Sequence, residues 1–299
     1  MTIQELNQKY GIKGILSFVE GAGRMAIAMV GNDLASAQIS LYGAHVISFE
    51  PAGQDDLLMM SELSSYEKGK PMRGGIPLCF PWFGAHPGDS AKPPHGFARL
   101  SEWEVESSAQ LPGGATRLVF SLTDNDATRR EWPYAFRCEM AVTVGESLGL
   151  SWAITNTGDE AFETAPAFHT YFSTNDAGQI AIKGLEGVTY LDALQQLAPV
   201  KEGTSPVLID REVNRCYMDT ESTCLIEDKS MGRTIQIDKS GSKSTVVWNP
   251  WVETAKKIGD LDDNEYTQFV CVETANVHHN KLKLAPGGAH TMTVVLKAR

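Results

Sequence analysis

The sequence has no excess of basic residues. It contains 26 Lys and Arg against 37 Asp and Glu, so its formal net charge is −11 at pH 7. Nucleic acids and anionic membrane surfaces attract proteins that present a basic face, and this composition therefore argues against both as partners. A small anionic substrate remains compatible with it, because two well-placed arginines can hold a phosphate group on an acidic protein.

Long hydrophobic runs and cysteine motifs are also missing. The first 18 residues contain no basic segment followed by an apolar stretch, and an apolar run such as residues 25–30 is far shorter than a membrane span. We therefore expect neither a secretory signal nor a transmembrane helix. The cysteines are odd in number, have no Cys-x-x-Cys spacing, and are Cys79, Cys138, Cys216, Cys224 and Cys271. This pattern predicts reduced thiols in a cytoplasmic protein.

Helical periodicity is scarce, whereas polar and apolar residues alternate along most of the chain. The alternating runs are residues 35–51, 117–123, 136–144, 148–156, 232–240, 244–250, 268–275 and 291–297. Short alternating runs separated by turn residues are typical of antiparallel sandwiches and barrels, and no βαβ rhythm indicates a parallel sheet. We predict an all-β fold in one domain spanning 1–299, with residues 1–20 as an N-terminal lead-in, and we expect a monomer.

Two short helices and one long loop interrupt the strands. Residues 125–132 predict a helix capped by Asp124 or Asp126 and stopped by Pro133, and a second helix is predicted within 252–261. Residues 69–99 are rich in proline and glycine with aromatic residues between them, which is typical of a functional loop or one that packs as its own unit. This loop carries Arg73, His86, His95 and Arg99.

Three short motifs are better explained by turns than by chemistry. Residues 145–149 match Gly-x-Ser-x-Gly, but a strand-like run follows where a nucleophile elbow requires a helix, so we expect a hairpin turn. Residues 241–245 resemble the end of a P-loop without its earlier glycine, and we expect a polar hairpin tip. The adjacent His278 and His279 would point to opposite faces of a strand and have no ligand cluster at metal spacing, so we expect a surface loop.

His169 lies in PAFHTYF, a run of apolar and aromatic residues. In strand register it shares a face with Ala167 and Tyr171, while Phe168 and Phe172 point the other way. A histidine in such surroundings is either a core residue hydrogen-bonded to a backbone carbonyl or a residue with a chemical task. The run alone leaves both readings open.

Glu273 poses the same question in FVCVETA, residues 269–275. Alternation places it on one face with Phe269 and Cys271, although glutamate is almost never fully buried unless it is paired. It is either a rim residue at the end of a strand or a buried carboxylate. Burial raises the pKa of a carboxyl and lowers that of a histidine, so the two groups together would suit general acid–base chemistry.

Five motifs, in this order and spacing, resemble the hexose-6-phosphate mutarotases of the aldose 1-epimerase superfamily. They are RGGIP-x-CFPWFG, HGFAR, HTYF, WNP and FVCVETA, and the resemblance runs from about residue 20 to the C-terminus. It implies a β-supersandwich with a sugar site in a cleft on one sheet. The pair of arginines in RGGIP and HGFAR makes the chain resemble the glucose-6-phosphate 1-epimerase branch more than the free-galactose branch.

The resemblance implies a catalytic pair, with Glu273 as the base at O1 of the sugar and His169 as the acid at the ring oxygen. The ring opens to the aldehyde, C1 rotates, and closure reverses the proton transfers. Such a reaction requires no cofactor, metal or nucleophile, so we expect none. The partner is a small sugar phosphate.

The resemblance also assigns substrate contacts to Arg73, His95 and Arg99. Each arginine could form forked contacts with phosphate oxygens or brace the loop through backbone carbonyls, and His95 would contact a sugar hydroxyl or the ring oxygen. Two positions depart from relatives: Pro94 replaces a glutamine, and Asn214 replaces an aspartate, which preserves acceptor capacity but loses charge. We expect Asn214 still to contact a sugar hydroxyl.

Three functions are therefore compared. The leading hypothesis is a cofactor-free isomerase that interconverts the α and β anomers of D-hexose 6-phosphates, glucose 6-phosphate above all. The alternatives are a sugar-phosphate-binding protein without turnover, because one fold supports many functions, and a mutarotase of free aldoses such as galactose or glucose.

Overall fold

The computed structural model describes all 299 residues, and strands dominate it. The strands, in chain order, are β1 (Leu16–Glu20), β2 (Ala26–Gly31), β3 (Ala35–Ser40), β4 (His45–Pro51), β5 (Leu78–Cys79), β6 (Glu104–Gln110), β7 (Thr116–Thr123), β8 (Phe136–Val144), β9 (Leu148–Asn156), β10 (Phe162–Thr164), β11 (Ala167–Phe168), β12 (Tyr171–Ser173), β13 (Ile180–Lys183), β14 (Thr189–Asp192), β15 (Ala198–Lys201), β16 (Val207–Leu208), β17 (Val213–Tyr217), β18 (Cys224–Asp228), β19 (Arg233–Ser240), β20 (Ser244–Asn249), β21 (Phe269–Ala275), β22 (Leu282–Leu284) and β23 (Ala289–Ala298). Each alternating run of the sequence forms strand, although the run 35–51 is divided into β3 and β4 by a turn.

Helix is confined to short segments. The helices are α1 (Ile3–Tyr10), α2 (Asp126–Glu131) and α3 (Trp251–Ala255), and the 3₁₀ turns are Ala22–Arg24, Ala98–Leu100, Ala177–Gln179, Ala193–Gln195, Glu265–Gln268 and His278–Asn280. Both predicted helices are present, but the cap of α2 is Asn125, whose side chain accepts hydrogen bonds from the N–H groups of Ala127 and Thr128. The prediction of Asp124 or Asp126 as the cap was wrong.

Helix α1 was not predicted, and it makes the lead-in part of the fold. Thr2 and Glu5 form a reciprocal capping box at its N-terminus, a signal that the sequence does carry. The side chain of Asn7 then exchanges two hydrogen bonds with the backbone of Phe18 in β1. Helix α1 is thereby joined to the first strand of a sheet, and residues 1–20 belong to the fold. None of the helices combines the length and apolar character needed to cross a membrane.

Two large antiparallel sheets form the body of the molecule. One has nine strands in the order β16-β13-β18-β19-β23-β9-β8-β7-β6. The other has the order β15-β14-β17-β20-β21-β11-β5, with β12 paired to β21 as its eighth strand. A four-stranded sheet (β1-β2-β3-β4) and a two-stranded sheet (β10-β22) complete the fold. All strand pairs are antiparallel, as the sequence predicts.

The main hydrophobic core lies between the two large sheets. Trp152 of β9 and Phe168 of β11 meet across it, with ring centroids 5.6 Å apart, and both side chains are fully buried. Alternation then requires the neighbours of Phe168 to face away from the core. This is how the eight-stranded sheet comes to present a second face on which a site can be built.

Of the two hairpin predictions made from short motifs, the first is confirmed and the second is wrong. The segment between β8 and β9 is a tight hairpin, as expected for residues 145–149. The segment between β19 and β20 is not a hairpin tip, because β19 belongs to the nine-stranded sheet and β20 to the eight-stranded one. Ser242 in this crossing is fully buried, and its hydroxyl donates to the carbonyl of Ala275.

Candidate active site

The outer face of the eight-stranded sheet carries the candidate site. Glu273 of β21 is paired in register with Val246 of β20, which is paired in turn with Cys216 of β17. Phe168, Val270 and Val272 belong to the main core, whereas Ala167, Tyr171 and Cys271 pack in separate small clusters on the outer face. The face assignments made from alternation are therefore confirmed.

A cavity of about 430 Å³ opens on this face. Five of the six predicted site residues line it: Arg73, His95, His169, Asn214 and Glu273. Arg99 does not. The rest of the wall includes Phe83, Cys216, Val246, Trp248 and His278. Residues as far apart in the chain as Arg73 and His278 thus meet at one sugar-sized cleft, within the size range of small-molecule sites.

His169 and Glu273 are in contact at the floor of the cavity. The Nε2 atom of His169 lies 3.5 Å from Oε1 of Glu273, and the two residues are only 7% and 1% exposed. Neither Nδ1 of His169 nor Oε2 of Glu273 has a hydrogen-bond partner within the protein. Buried polar atoms are ordinarily satisfied, so two unpartnered atoms on neighbouring buried side chains are a departure that points to this pair as the centre of the site.

Burial moves the two pKa values toward each other's ordinary range. Desolvation raises the pKa of Glu273 well above its usual value, although the positive charge of Arg99 opposes this. Desolvation, with the charges of Arg99 and Arg73, lowers the pKa of His169 to about 3. Burial therefore favours the uncharged form of each group, a carboxylic acid beside a neutral imidazole, between which one proton can move.

Aromatic rings enclose the imidazole of His169. Tyr171 is stacked on one face, with centroids 4.9 Å apart and planes at 15°, and Phe83 is stacked at 6.4 Å and 28°. Trp248 and His95 approach edge-on at 5.9 and 5.3 Å. The ring is fixed in place, and the π faces would stabilise it whenever it becomes an imidazolium cation.

The tautomer of His95 follows from its neighbours. The N–H of Gly84 donates to Nδ1 of His95 at 3.3 Å, and the Sγ atom of Cys79 lies at the same distance from Nδ1. Since Nδ1 is an acceptor, the proton of the neutral ring is on Nε2. Burial and the nearby arginine charges hold the pKa of His95 well below its usual value, so the ring is a neutral N–H donor.

Arg73 is held by a carboxylate and a phenol. Its Nε and Nη2 atoms donate to Oδ1 of Asp260 at 3.1 and 3.0 Å, and Nη1 donates to the hydroxyl of Tyr171 at 3.0 Å. The charge of Arg73 is therefore paired, although the residue lines the cavity. Sequence reasoning missed Asp260, because nothing local links the loop at 256–264 to the loop at 69–99.

The two glycines after Arg73 explain why the motif begins RGG. A side chain at Gly74 would lie 2.3 Å from the carbonyl oxygen of Met59, and one at Gly75 would lie 2.4 Å from that of Val46. Both have positive φ, so only glycine fits. His45, buried below, makes a 2.8 Å hydrogen bond with the Gly74 carbonyl. The backbone is thereby fixed where Arg73 enters the cavity.

Arg99 lies behind the cavity wall. It is 8% exposed, Nη2 donates to the carbonyl of Pro94 at 2.7 Å, and Nε has no partner. Its position supports the bracing alternative rather than a direct substrate contact. Its charge nevertheless acts on the pKa values of His169 and Glu273 in the direction that favours a carboxylate and a neutral imidazole.

The two departures from relatives have different consequences. Asn214 lines the cavity beside Trp248, its register partner on the neighbouring strand β20. Its amide is therefore placed to meet a hydroxyl. The carbonyl of Pro94 accepts a hydrogen bond from Arg99, a backbone contact that any residue could supply.

The adjacent histidines lie in different environments. His278 lines the cavity, while His279 is exposed and bonds to Asp219 at 3.1 Å.

Comparison with known proteins shows the family to which the chain belongs. The family model described as aldose 1-epimerase matches residues 25–297. The chain belongs to the aldose 1-epimerase family. Two curated relatives are named "Putative glucose-6-phosphate 1-epimerase": one from Cenchrus ciliaris, 32% identical over 93% of this chain and 85% of its own length, and one from Escherichia coli K12, 31% identical over 83% and 82%.

Solved structures confirm the epimerase fold. A protein of Salmonella typhimurium described as a "putative mutarotase" superposes with a TM-score of 0.89 at 25% identity, covering 99% of this chain and 98% of its own. The galactose 1-epimerase of Lactobacillus acidophilus has a TM-score of 0.75 at 12% identity, covering 95% and 98%. At that identity the likeness shows the fold alone, the galactose mutarotase-like β-supersandwich that the motifs implied.

Proposed function

We propose that this epimerase interconverts the α and β anomers of a D-hexose 6-phosphate, with glucose 6-phosphate as the substrate that fits best. The observation that carries the proposal is the buried contact between His169 and Glu273, two residues that both line the cavity. The names of the relatives support the choice of glucose 6-phosphate over a free sugar.

The short distance between the Glu273 and His169 side chains suits a reaction at a carbon atom bonded to two oxygen atoms. The anomeric carbon C1 is bonded to both O1 and the ring oxygen O5, so two catalysts acting on them must lie close together. Glu273 and His169, 3.5 Å apart at Oε1 and Nε2, meet this requirement. His95 is placed to donate its Nε2 proton to the same ring oxygen or to a neighbouring hydroxyl.

Glu273 accepts one proton and His169 donates one, so the pair needs no other proton source. The Glu273 carboxylate takes the proton of the C1 hydroxyl while imidazolium His169 gives its proton to O5, the C1–O5 bond breaks, and the aldehyde forms. This leaves a neutral acid beside a neutral imidazole, the two forms that burial favours. Rotation about C1–C2 exposes the other face of the aldehyde, and closure runs the transfers in reverse. Each positioned proton transfer contributes roughly 10²–10⁴-fold.

Exchange NMR on the two anomers of glucose 6-phosphate tests the proposal. Wild-type protein is expected to accelerate exchange, and Glu273→Gln, which retains the shape and removes the base, is expected to lose roughly 10²–10⁴-fold. Equal rates for the two proteins would remove Glu273 from the mechanism. Calorimetric binding without any acceleration by the wild type would instead indicate a sugar-phosphate-binding protein without turnover.

A further inference from the structure

Glu265 is a buried carboxylate that the proposed chemistry does not use. It is 4% exposed and begins the 3₁₀ turn that leads directly into β21. Its side-chain oxygens accept three hydrogen bonds, from the hydroxyl of Ser61 at 2.6 Å, the N–H of Glu62 at 2.8 Å and the N–H of Asp262 at 3.0 Å. A carboxylate accepts hydrogen bonds and donates none, and here every partner donates. Glu265 thereby joins two loops that are distant in the chain.

The first of these loops, residues 61–73, fixes the backbone of Arg73. The N–H of Arg73 donates to the hydroxyl of Ser64 at 2.9 Å, and its carbonyl accepts from the N–H of Ser61 at 3.0 Å. Ser61 thus bonds to Arg73 through its backbone and to Glu265 through its side chain. A shift of Ser61 at the carboxylate would therefore move the backbone from which the guanidinium extends.

The second loop, residues 256–264, fixes the charge of Arg73. Asp260 accepts two hydrogen bonds from the Arg73 guanidinium, at 3.0 and 3.1 Å. Apart from this pair, the hydrogen bonds that connect the first loop to this part of the chain are those of Glu265. A cavity of about 510 Å³, lined by residues of both loops, separates them elsewhere. Glu265 therefore supplies a connection that packing between the loops does not.

The turn that carries Glu265 is fastened to the eight-stranded sheet by the asparagine of the WNP motif. Asn249, at the end of β20, is fully buried, and its Nδ2 atom donates to the carbonyls of Tyr266 and Phe269, both at 2.8 Å. Phe269 is the first residue of β21, the strand that carries Glu273. The position of Glu265 is therefore set relative to the strand that holds the proposed base.

We propose that Glu265 is the positioning residue for Arg73, and that it sets the place of this guanidinium in the cavity relative to Glu273. The inference rests on the proposed function and on the substrate contact that the motifs assign to Arg73. A hydrogen bond weakens steeply when its donor is misaligned, so a loosened guanidinium binds the sugar phosphate less tightly. Arg73 moves no proton in the proposed mechanism. Its displacement should therefore change KM rather than kcat.

Glu265→Gln tests this role, because it keeps the shape of the side chain and replaces one acceptor by a donor that faces donors. We expect KM for glucose 6-phosphate to rise about 3- to 10-fold, the range of one hydrogen bond, with kcat within about twofold of wild type. The matched control is Glu212→Gln. Glu212 accepts a hydrogen bond from the hydroxyl of Thr254 in α3 at 2.9 Å and lines neither of the cavities beside Arg73 and Asp260, so KM of this variant should match wild type.

A double-mutant cycle separates positioning from a merely structural role. Arg73→Met should raise KM about 10- to 100-fold, and adding Glu265→Gln should raise it no further, because the group that Glu265 positions is absent. Effects that multiply in the double variant would overturn the proposal, as would an unchanged KM in Glu265→Gln. Ser61→Ala removes one of the three donors; it takes the place of Glu265→Gln in the cycle if that variant does not fold, and the same pattern is expected.

The positioning role can also be tested without the reaction. If the wild type does not accelerate anomer exchange, the proposed function fails, and a crystal structure of Glu265→Gln still decides the role of Glu265. After superposition on β21 we expect the Arg73 guanidinium to be displaced by about 1 Å or more, a misplacement large enough to affect binding and catalysis, and to keep its wild-type position in Glu212→Gln. A guanidinium that superposes on wild type in both variants would refute the role.

Discussion

The neutral state of His169 makes the stability of the protein depend on pH in a way that one substitution can isolate. Its pKa is lowered from 6.5 to about 3, first by burial and then by the charges of Arg99 and Arg73. Below pH 6.5 the unfolded chain binds a proton at this residue, whereas the folded chain does not until about pH 3. Stability is therefore lost as the pH falls through this window.

The size of this loss of stability follows from the shift in the pKa of His169. Between pH 6.5 and pH 4 the unfolded side chain gains about 1.4 kcal/mol per pH unit relative to the folded one. Over 2.5 units this amounts to about 3 kcal/mol of unfolding free energy that His169 removes from the wild type. Gln at the same position does not titrate, so His169→Gln should lose about 3 kcal/mol less than wild type between pH 7 and pH 4.

Urea denaturation at both pH values measures this difference. His279→Gln, at an exposed position outside the cavity lining, is the control for replacing a histidine as such. Other buried histidines, such as His45, contribute equally in all three proteins and cancel. An equal loss in wild type and His169→Gln would refute the account of His169 as a buried neutral imidazole.

Three further predictions concern neighbours of the pair. Because burial raises the pKa of Glu273, ionisation of this residue favours the unfolded state as the pH rises. Glu273→Gln should therefore have a higher melting temperature than wild type at pH 8, and the difference should vanish near pH 4. Tyr171→Leu removes a π face from the imidazolium and should lower kcat about 10-fold, whereas Tyr171→Phe should retain most of it. Asp260→Asn should raise KM with little change in kcat, because it loosens Arg73 without touching proton transfer.

Local sequence patterns predicted much of the architecture. Alternation with a period of two depends only on the geometry of a single strand, so β8 and β9 were predicted to the residue. The same rule placed Glu273 on the face opposite Val270 and Val272. Helix α1 was missed although its capping box was visible, since a short amphipathic segment with two buried residues, Leu6 and Tyr10, gives a weak periodic signal.

The composition of the site depends on contacts between distant segments, and local patterns do not encode these. Alternation says which residues share a face, but not which strands become neighbours, so the contact between His169 and Glu273 required the pairing of β11 and β12 with β21. The pairing of Arg73 with Asp260 and the withdrawal of Arg99 behind the wall depend on how two loops pack over the sheet. The histidine of PAFHTYF had two interpretations in the sequence, and the buried carboxylate 3.5 Å away is the feature that favours a chemical task.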